Sequence, residues 1–298
     1  MTPLISIALC TYNGAKYLNE QLTSIVNQTY PNIEIVIVDD GSVDDTIAII
    51  QTFKKSYDNI KLYQNIQNLG FNKNFEKAIN LTTGDYIAIS DQDDIWELNK
   101  LELLLDHIGD NWLIFSNSIF VDGQHNPLNK TLLKPTFELG KRDFRSLLFY
   151  NFVTGHTLLF KRSFISYILP IPNSGYYDWW MGFIALYHQK IAYLNKNLTQ
   201  HRIHSNSVMN KKESDNFGNQ KKARFLEVTK NLKLLSSYIN LNAADKQLIT
   251  RLLNSYIKKR KYDPFLIIEL IENYPYFFPD LKKRSLISRF FFALKMGY

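Results

Sequence analysis

One cysteine in 298 residues, Cys10, leaves neither a disulfide framework nor a cysteine metal cluster available, and an intracellular, reducing address is the simpler expectation. Long hydrophobic runs are missing as well. The apolar run Leu4 to Cys10 has no lysine-rich lead and is too short for the core of a secretory leader or for a membrane span, so no segment is expected to cross a bilayer. Acidic residues are scarce in one region only: residues 211–298 hold 18 Lys+Arg against 8 Asp+Glu, a balance of +10, whereas residues 1–210 hold 17 against 20, a balance of −3. The overall charge of +7 therefore belongs to the tail, which is suited to an anionic surface. No RNA or DNA motif accompanies that basicity, and a nucleic-acid partner is not expected. With 45% apolar and 14% aromatic residues the chain is globular, long enough for one large core or a core with a smaller appendage.

What is present first is an alternation of strand and helix patterns. Ile5 to Cys10 reads as a buried strand, Thr11-Tyr12-Asn13-Gly14 as a turn, and Leu18, Leu22, Ile25 and Val26 as one face of a helix that ends before Pro31. A second strand, Ile33 to Val38, runs into Asp39-Asp40-Gly41-Ser42, and a helix starts near Asp44-Asp45-Thr46. Ile60 to Tyr63 gives a third strand, Asn65 to Gly70 a loop, and Phe71, Phe75, Ala78 and Ile79 a further amphipathic helix before the strand Tyr86 to Ser90. Buried strands alternating with helices predict an α/β fold with a mixed, mostly parallel sheet covered on both faces, in which ligands gather at the carboxyl ends of the strands. Those ends carry Thr11-Tyr12-Asn13, Asp39-Asp40 and Asp91-Gln92-Asp93-Asp94.

The last of these is the most informative. Three acids in four residues repel one another, and a site partly closed from water needs a cation to keep them ionised; Mg²⁺ or Mn²⁺, which take carboxylate and phosphate oxygens, fit that need. A loop that merely caps a helix starting at Ile95-Trp96-Glu97 is the plainer reading of the same residues. Further on, Leu98, Leu101, Leu105 and Ile108 predict a helix, Trp112 to Ser116 and Ile119 to Val121 strands around Asn117-Ser118, and Phe152 to Phe160 a strand re-entering the sheet beside the acids. Tyr176-Tyr177-Asp178-Trp179-Trp180 leads another helix. Asp178 there is either a cap or a functional carboxylate, and the flanking tryptophans are either core or platforms for sugar rings.

Ser6 to Asn13, Val38-Asp39-Asp40-Gly41-Ser42, Asn68-Leu69-Gly70, Gly84-Asp85-Tyr86 and the Asp-Gln-Asp-Asp-Ile-Trp run occur in an order that resembles the family 2 nucleotide-sugar glycosyltransferases of GT-A fold, over about residues 4–207. The Asp-Gln-Asp-Asp form looks most like bacterial rhamnosyltransferase-like enzymes of surface polysaccharide synthesis. The resemblance implies that Thr11, Tyr12, Asp39, Asp40 and Asn68 surround the donor nucleotide, that Asp91 faces ribose or metal, and that Asp93 is the principal ligand of Mn²⁺ or Mg²⁺. It implies too that Asp178 is the general base of an inverting transfer, although Tyr177 stands where an acidic residue or histidine often precedes it. Trp179 and Trp180 would then contact the acceptor, and Arg202-Ile203-His204, with Ser205-Asn206-Ser207 after it, resembles the closing motif that sets Arg202 and His204 near the donor diphosphate. The donor expected is a dTDP-, UDP- or GDP-sugar and the acceptor a glycan or a lipid-linked glycan. A nucleotidylyltransferase is excluded because Thr11 to Gly14 lacks a glycine-rich, arginine-containing cradle for a triphosphate. A catalytically inactive nucleotide-sugar or glycan-binding protein of the same fold is the alternative.

The expected division is a transferase domain at 1–207, a linker at 208–219 and a basic helical region at 220–298. Phe225, Val228, Leu232, Leu235 and Ile239, and then Leu248, Leu252 and Tyr256, recur at helical spacing. Leu286, Ile287, Phe290, Phe291 and Leu294 share a face behind Lys282-Lys283-Arg284, a pattern suited to the inner surface of a plasma membrane or to packing on the body.

Overall fold

A computed structural model of the chain describes residues 2–204, 217–258 and 263–296. Ser205-Asn206-Ser207 and positions 208–216 of the expected linker lie outside the described residues, and Phe217 already opens a helix. The predicted alternation appears as β1 (Ile5–Thr11), α1 (Ala15–Val26), β2 (Ile33–Asp39), α2 (Thr46–Ser56), β3 (Ile60–Gln64), α3 (Phe71–Leu81) and β4 (Tyr86–Ser90). Then come β5 (Ile95–Trp96), α4 (Lys100–Ile108), β6 (Leu113–Val121), β7 (Pro127–Thr131), β8 (Leu158–Lys161), α5 (Ile165–Ile168), α6 (Tyr177–Tyr187) and β9 (Ile191–Arg202).

The strands form one nine-stranded sheet in the order β3-β2-β1-β4-β8-β6-β9-β5, with β7 on β6. Pairing is parallel from β3 to β4 and between β6 and β9, and antiparallel where β8 joins β4 to β6. Register aligns Thr11 with Asp39 and Leu9 with Ser90, so the three polar turns that follow β1, β2 and β4 share one edge. Along β2, Ile35 and Ile37 enter the core under α1, α2 and α4, while Val36 and Val38 enter the core under α3 and α6. Apolar residues at both parities are what burial of both sheet faces demands, and each is worth about 1.5–3 kcal/mol when fully buried.

Three local expectations are corrected. Ile95 and Trp96 form a short strand against Gln200 and Thr199 rather than a helix start, because the Trp96 N–H goes to Ser24 Oγ; the helix waits until Lys100. Asn117-Ser118 does not end β6. The Asn117 amide exchanges hydrogen bonds with the Leu133 backbone, and the strand continues through an irregularity in its pairing with β9. Phe152 to Phe160 becomes strand only from Leu158, since Gly155–Thr157 is a 3₁₀ turn closed by Thr157 N–H on the Thr154 carbonyl.

The tail is helical: α7 (Phe217–Ser236), α8 (Ala243–Lys258), α9 (Pro264–Glu272), α10 (Tyr274–Phe277) and α11 (Leu286–Met296). Val228, Leu232, Leu252, Tyr256, Leu270 and Phe277 join the same apolar cluster as Trp180 and Phe183 of α6. Arg142 pairs with Asp280, and the Tyr187 hydroxyl accepts from the Asn242 N–H at 2.9 Å, so polar contacts also tie the tail to the body.

Candidate active site

The turn after β2 is built around two buried carboxylates. Asp39 Oδ1 accepts from the Thr11 and Ser42 hydroxyls, and Oδ2 accepts from the N–H groups of Gly41 and Ser42. Four donors fill the four acceptor positions of a carboxylate. Asp39, 1% exposed, thus holds its own turn, a structural use that the sequence reading did not foresee. Asp40 accepts from Asn65 Nδ2 and the N–H groups of Leu69 and Gly70, which fixes the Asn68-Leu69-Gly70 loop, and Asn68 Nδ2 donates to the Asp40 carbonyl at 3.2 Å. Gly70 at φ +80° leads α3 from there, a conformation that suits glycine.

Tyr12 stands at the mouth of this corner, 49% exposed. Gln92 pairs with its backbone in both directions: the Tyr12 N–H donates to Gln92 Oε1 at 2.8 Å, and Gln92 Nε2 donates to the Tyr12 carbonyl at 3.1 Å. The acidic turn and the first turn are therefore clamped together.

The acids divide by environment. Asp93 meets His204 Nε2 at 2.9 Å, and His204 packs on the Tyr17 ring. The Asp91 side chain is about one-third exposed, and desolvation together with Asp94 and Asp93 pushes its carboxyl well above the usual range. Asp178 also acts on it electrostatically, as does the His201 charge in the opposite sense. Asp94 is wholly buried. Burial alone would raise its proton affinity, but His201 Nδ1 at 2.9 Å, the His156 ring and the Arg202 N–H hold it low.

Behind this turn the His156 and His201 rings lie face to face at 4.5 Å and 4°. Burial, against the pull of Asp94, pushes His156 down to about 3, while Asp94 outweighs burial and lifts His201 to about 9. Asp94, His156 and His201 bring three potential metal-ligand atoms within 4.8 Å. Parallel rings, however, aim their in-plane lone pairs side by side rather than at one point, and the Lys100 amine, its proton affinity pushed well down by burial, donates to the His156 carbonyl and to Thr199 Oγ1 beside them. This cluster braces the acidic turn. Its two histidines escaped the sequence reading because positions 156 and 201 carry no spacing signal.

Arg202 is also a brace, which corrects its expected place over a diphosphate. It is 1% exposed, its Nε donates to the Asp93 carbonyl at 3.0 Å, its Nη2 pairs with Glu20 at 2.7 Å, and Tyr17 covers its guanidinium. Trp179 and Trp180, 3% and 5% exposed, are core residues whose indole N–H groups donate to the Leu147 and Ile168 carbonyls; neither has a free face for a sugar. Asp178, in the first turn of α6, accepts from Asn151 Nδ2 and the Gly155 N–H, both at 3.2 Å. Gly155 is required there, since a Cβ would fall 1.9 Å from the Tyr177 hydroxyl.

A curled α/β sheet with polar turns and acids at one edge is the architecture of a sugar-transferring enzyme of GT-A fold. Residues 6–169 match the family described as Glycosyl transferase family 2, and the chain belongs to that family. An uncharacterized glycosyltransferase of Haemophilus influenzae is 34% identical over 183 residues, 59% of this chain and 69% of that protein. Another from the same organism is 36% identical over 109 residues, so the chain spans only about a third of that relative's length (34%). Among solved structures, S. aureus TarS 1–349 in complex with UDP-GlcNAc superposes with a TM-score of 0.63 at 17% identity, covering 97% of this chain and 81% of that one. The mannosyltransferase PcManGT from Pyrobaculum calidifontis, in complex with GDP-Man and Mn²⁺, gives 0.57 at 17% identity, with 85% and 70% covered.

Proposed function

We propose that this family 2 glycosyltransferase is an inverting, divalent-metal-dependent enzyme that moves a hexosyl or deoxyhexosyl group, with rhamnosyl as the leading case, from a dTDP-, UDP- or GDP-sugar to a lipid-carried glycan. Its place is the cytoplasmic side of surface polysaccharide synthesis. The observation that carries the reading is that the adjacent residues Gly155 and His156 reach both acids: the Gly155 N–H donates to Asp178 Oδ2 at 3.2 Å, and His156 Nδ1 lies 3.9 Å from Asp91 Oδ2. UDP-GlcNAc in TarS and GDP-Man with Mn²⁺ in PcManGT support a nucleotide-sugar donor for this chain.

The residues fit a divalent ion. Asp91 and Asp93, two residues apart on one turn and with His204 beside Asp93, form an oxygen-rich donor set of the kind a hard divalent ion takes. When bound, Mn²⁺ or Mg²⁺ there would neutralise the diphosphate as it leaves. Tyr12 offers its open face to the nucleobase, with Thr11, Asp40 and Asn68 shaping the wall beside it. Asp178 takes the proton of the acceptor hydroxyl as that oxygen attacks the anomeric carbon opposite the diphosphate, a step commonly worth 10²- to 10⁴-fold. The hydrogen bonds from Asn151 and Gly155 hold its carboxylate for this.

A thermal-shift panel of nucleotide sugars with Mn²⁺, followed by turnover with the donor that stabilises most, tests the proposal. Transfer with inversion at the anomeric centre is expected. Stabilisation by a donor with no hydrolysis or transfer would instead favour the inactive binding protein.

A further inference from the structure

Helix α11 carries apolar residues on two opposed faces. At about 100° per residue, Arg289, Phe292, Ala293 and Met296 fall on one arc. That arc is packed: Ala293 is fully buried, Phe292 meets the Tyr274 and Phe278 rings edge-on at 5.2 and 5.0 Å, and Arg289 Nη1 donates to the Ile271 carbonyl. Leu286, Phe290, Ile287 and Phe291 spread over an arc of roughly 140° on the other side. They are 69, 42, 73 and 58% exposed. Burial against α9 and α10 does not account for these four, because a helix packed on one side needs only one apolar stripe. A cleft of about 410 Å³ between Arg284, Ile287, Ser288, Phe291, Phe292 and Lys295 runs along their flank.

Charge selects the occupant. From Leu281 to Tyr298 the chain has five basic residues, Lys282, Lys283, Arg284, Arg289 and Lys295, and no acidic one. Lys282 and Lys283 are exposed just before the helix. The same face of a second copy would set like charge against like charge; an anionic lipid surface offers the opposite sign together with an apolar layer beneath it. No helix among the described residues is long and apolar enough to cross a membrane, so the contact is one of lying on the surface.

We propose that α11 docks this protein on an anionic bilayer, with Leu286, Ile287, Phe290 and Phe291 entering the boundary between headgroups and acyl chains and Lys282 and Lys283 at the lipid phosphates. The inference rests on the helix and not on the transferase reading, and its test needs no turnover. Full-length protein is sedimented with phosphatidylcholine vesicles and with vesicles of equal parts phosphatidylcholine and phosphatidylglycerol. Binding to the anionic vesicles only is expected, falling with added salt and weakened at least about tenfold in Ile287→Glu/Phe291→Glu. Lys282→Glu/Lys283→Glu, which leaves the apolar face intact, is expected to lose the preference for phosphatidylglycerol; circular dichroism confirms that both variants are folded. Failure of the unaltered chain to bind anionic vesicles overturns the proposal, as does equal binding by all three proteins. A dimer in sedimentation velocity that Ile287→Glu/Phe291→Glu converts to monomer would assign the face to a second copy instead.

Discussion

Replacing Glu34 with glutamine tests the register on which the whole edge of the site depends. The Glu34 carboxylate lies at the opposite rim of the sheet, where it accepts from the Ser6 hydroxyl, from the Thr83 N–H and hydroxyl, and from Lys61 Nζ at 2.7 Å. One charge thus ties β1, β2, β3 and the turn before β4. Both faces of these strands are apolar, so the hydrophobic pattern specifies register weakly, and a slip of one residue would shift Thr11, Asp40 or Asp91 out of line. Burial alone would raise the carboxyl's proton affinity, but these partners bring it from 4.5 to about 2. At about 1.36 kcal/mol per pKa step, that drop is equivalent to a ceiling of about 3 kcal/mol. Because the folded-state value is depressed, the unfolded chain binds the proton more readily; the stabilisation is complete well above pH 4.5 and is lost as pH falls toward 2. Urea unfolding followed by tryptophan fluorescence should show Glu34→Gln about 2 kcal/mol less stable at pH 7, with the difference shrinking by roughly half at pH 3.5. A difference that does not change with pH, or one below about 0.5 kcal/mol at pH 7, would refute the reasoning.

Three further substitutions separate bracing from binding. Gly155→Ala puts a methyl group against the Tyr177 hydroxyl and disturbs the N–H that holds Asp178, so a loss of about 1–3 kcal/mol of unfolding free energy in denaturant titration and a fall in kcat larger than any rise in donor KM are expected. Arg202→Lys keeps the charge but not the fork that supports Asp93 and Glu20; it should lower Tm while changing nucleotide affinity, read by calorimetry, less than about threefold. Gln92→Leu removes both hydrogen bonds to the Tyr12 backbone, together worth about 1–2 kcal/mol, and should weaken nucleotide binding roughly tenfold with little change in Tm.

The strands and helices from Ile5 to Ser90 were legible because strands buried on both faces read as continuous apolar runs and helices as stripes. The acids at their ends were legible by position. What the pattern could not carry was the use of each polar group. Asp39 and Asp40 are adjacent and chemically alike, yet the Asp39 carboxylate is filled by Thr11, Gly41 and Ser42, while Asp40 keeps one acceptor position beside the Asn68 loop. Trp179 and Trp180 follow Asp178 directly, but the helical turn swings both into the core. Arg202 belongs to the motif and points behind Asp93, into a pocket made by Glu20 and Tyr17 that lies far away in sequence. His156, just before β8, and His201, in β9, meet because both of those strands pair with β6, which the sequence pattern does not announce.

The central claim is that Asp93 belongs to the cation and diphosphate and Asp178 to the acceptor proton, within one site. Calorimetric titration of UDP, GDP or dTDP, whichever stabilises most, with and without Mn²⁺ is the most direct measurement, made on the unaltered chain, Asp93→Asn and Asp178→Asn alongside turnover of the matching nucleotide sugar. The account predicts that Asp93→Asn loses the Mn²⁺-dependent part of the affinity, at least about tenfold, and that Asp178→Asn keeps it while turnover falls by about 10²- to 10⁴-fold. Undiminished Mn²⁺-dependent affinity in Asp93→Asn, or undiminished turnover in Asp178→Asn, would contradict it.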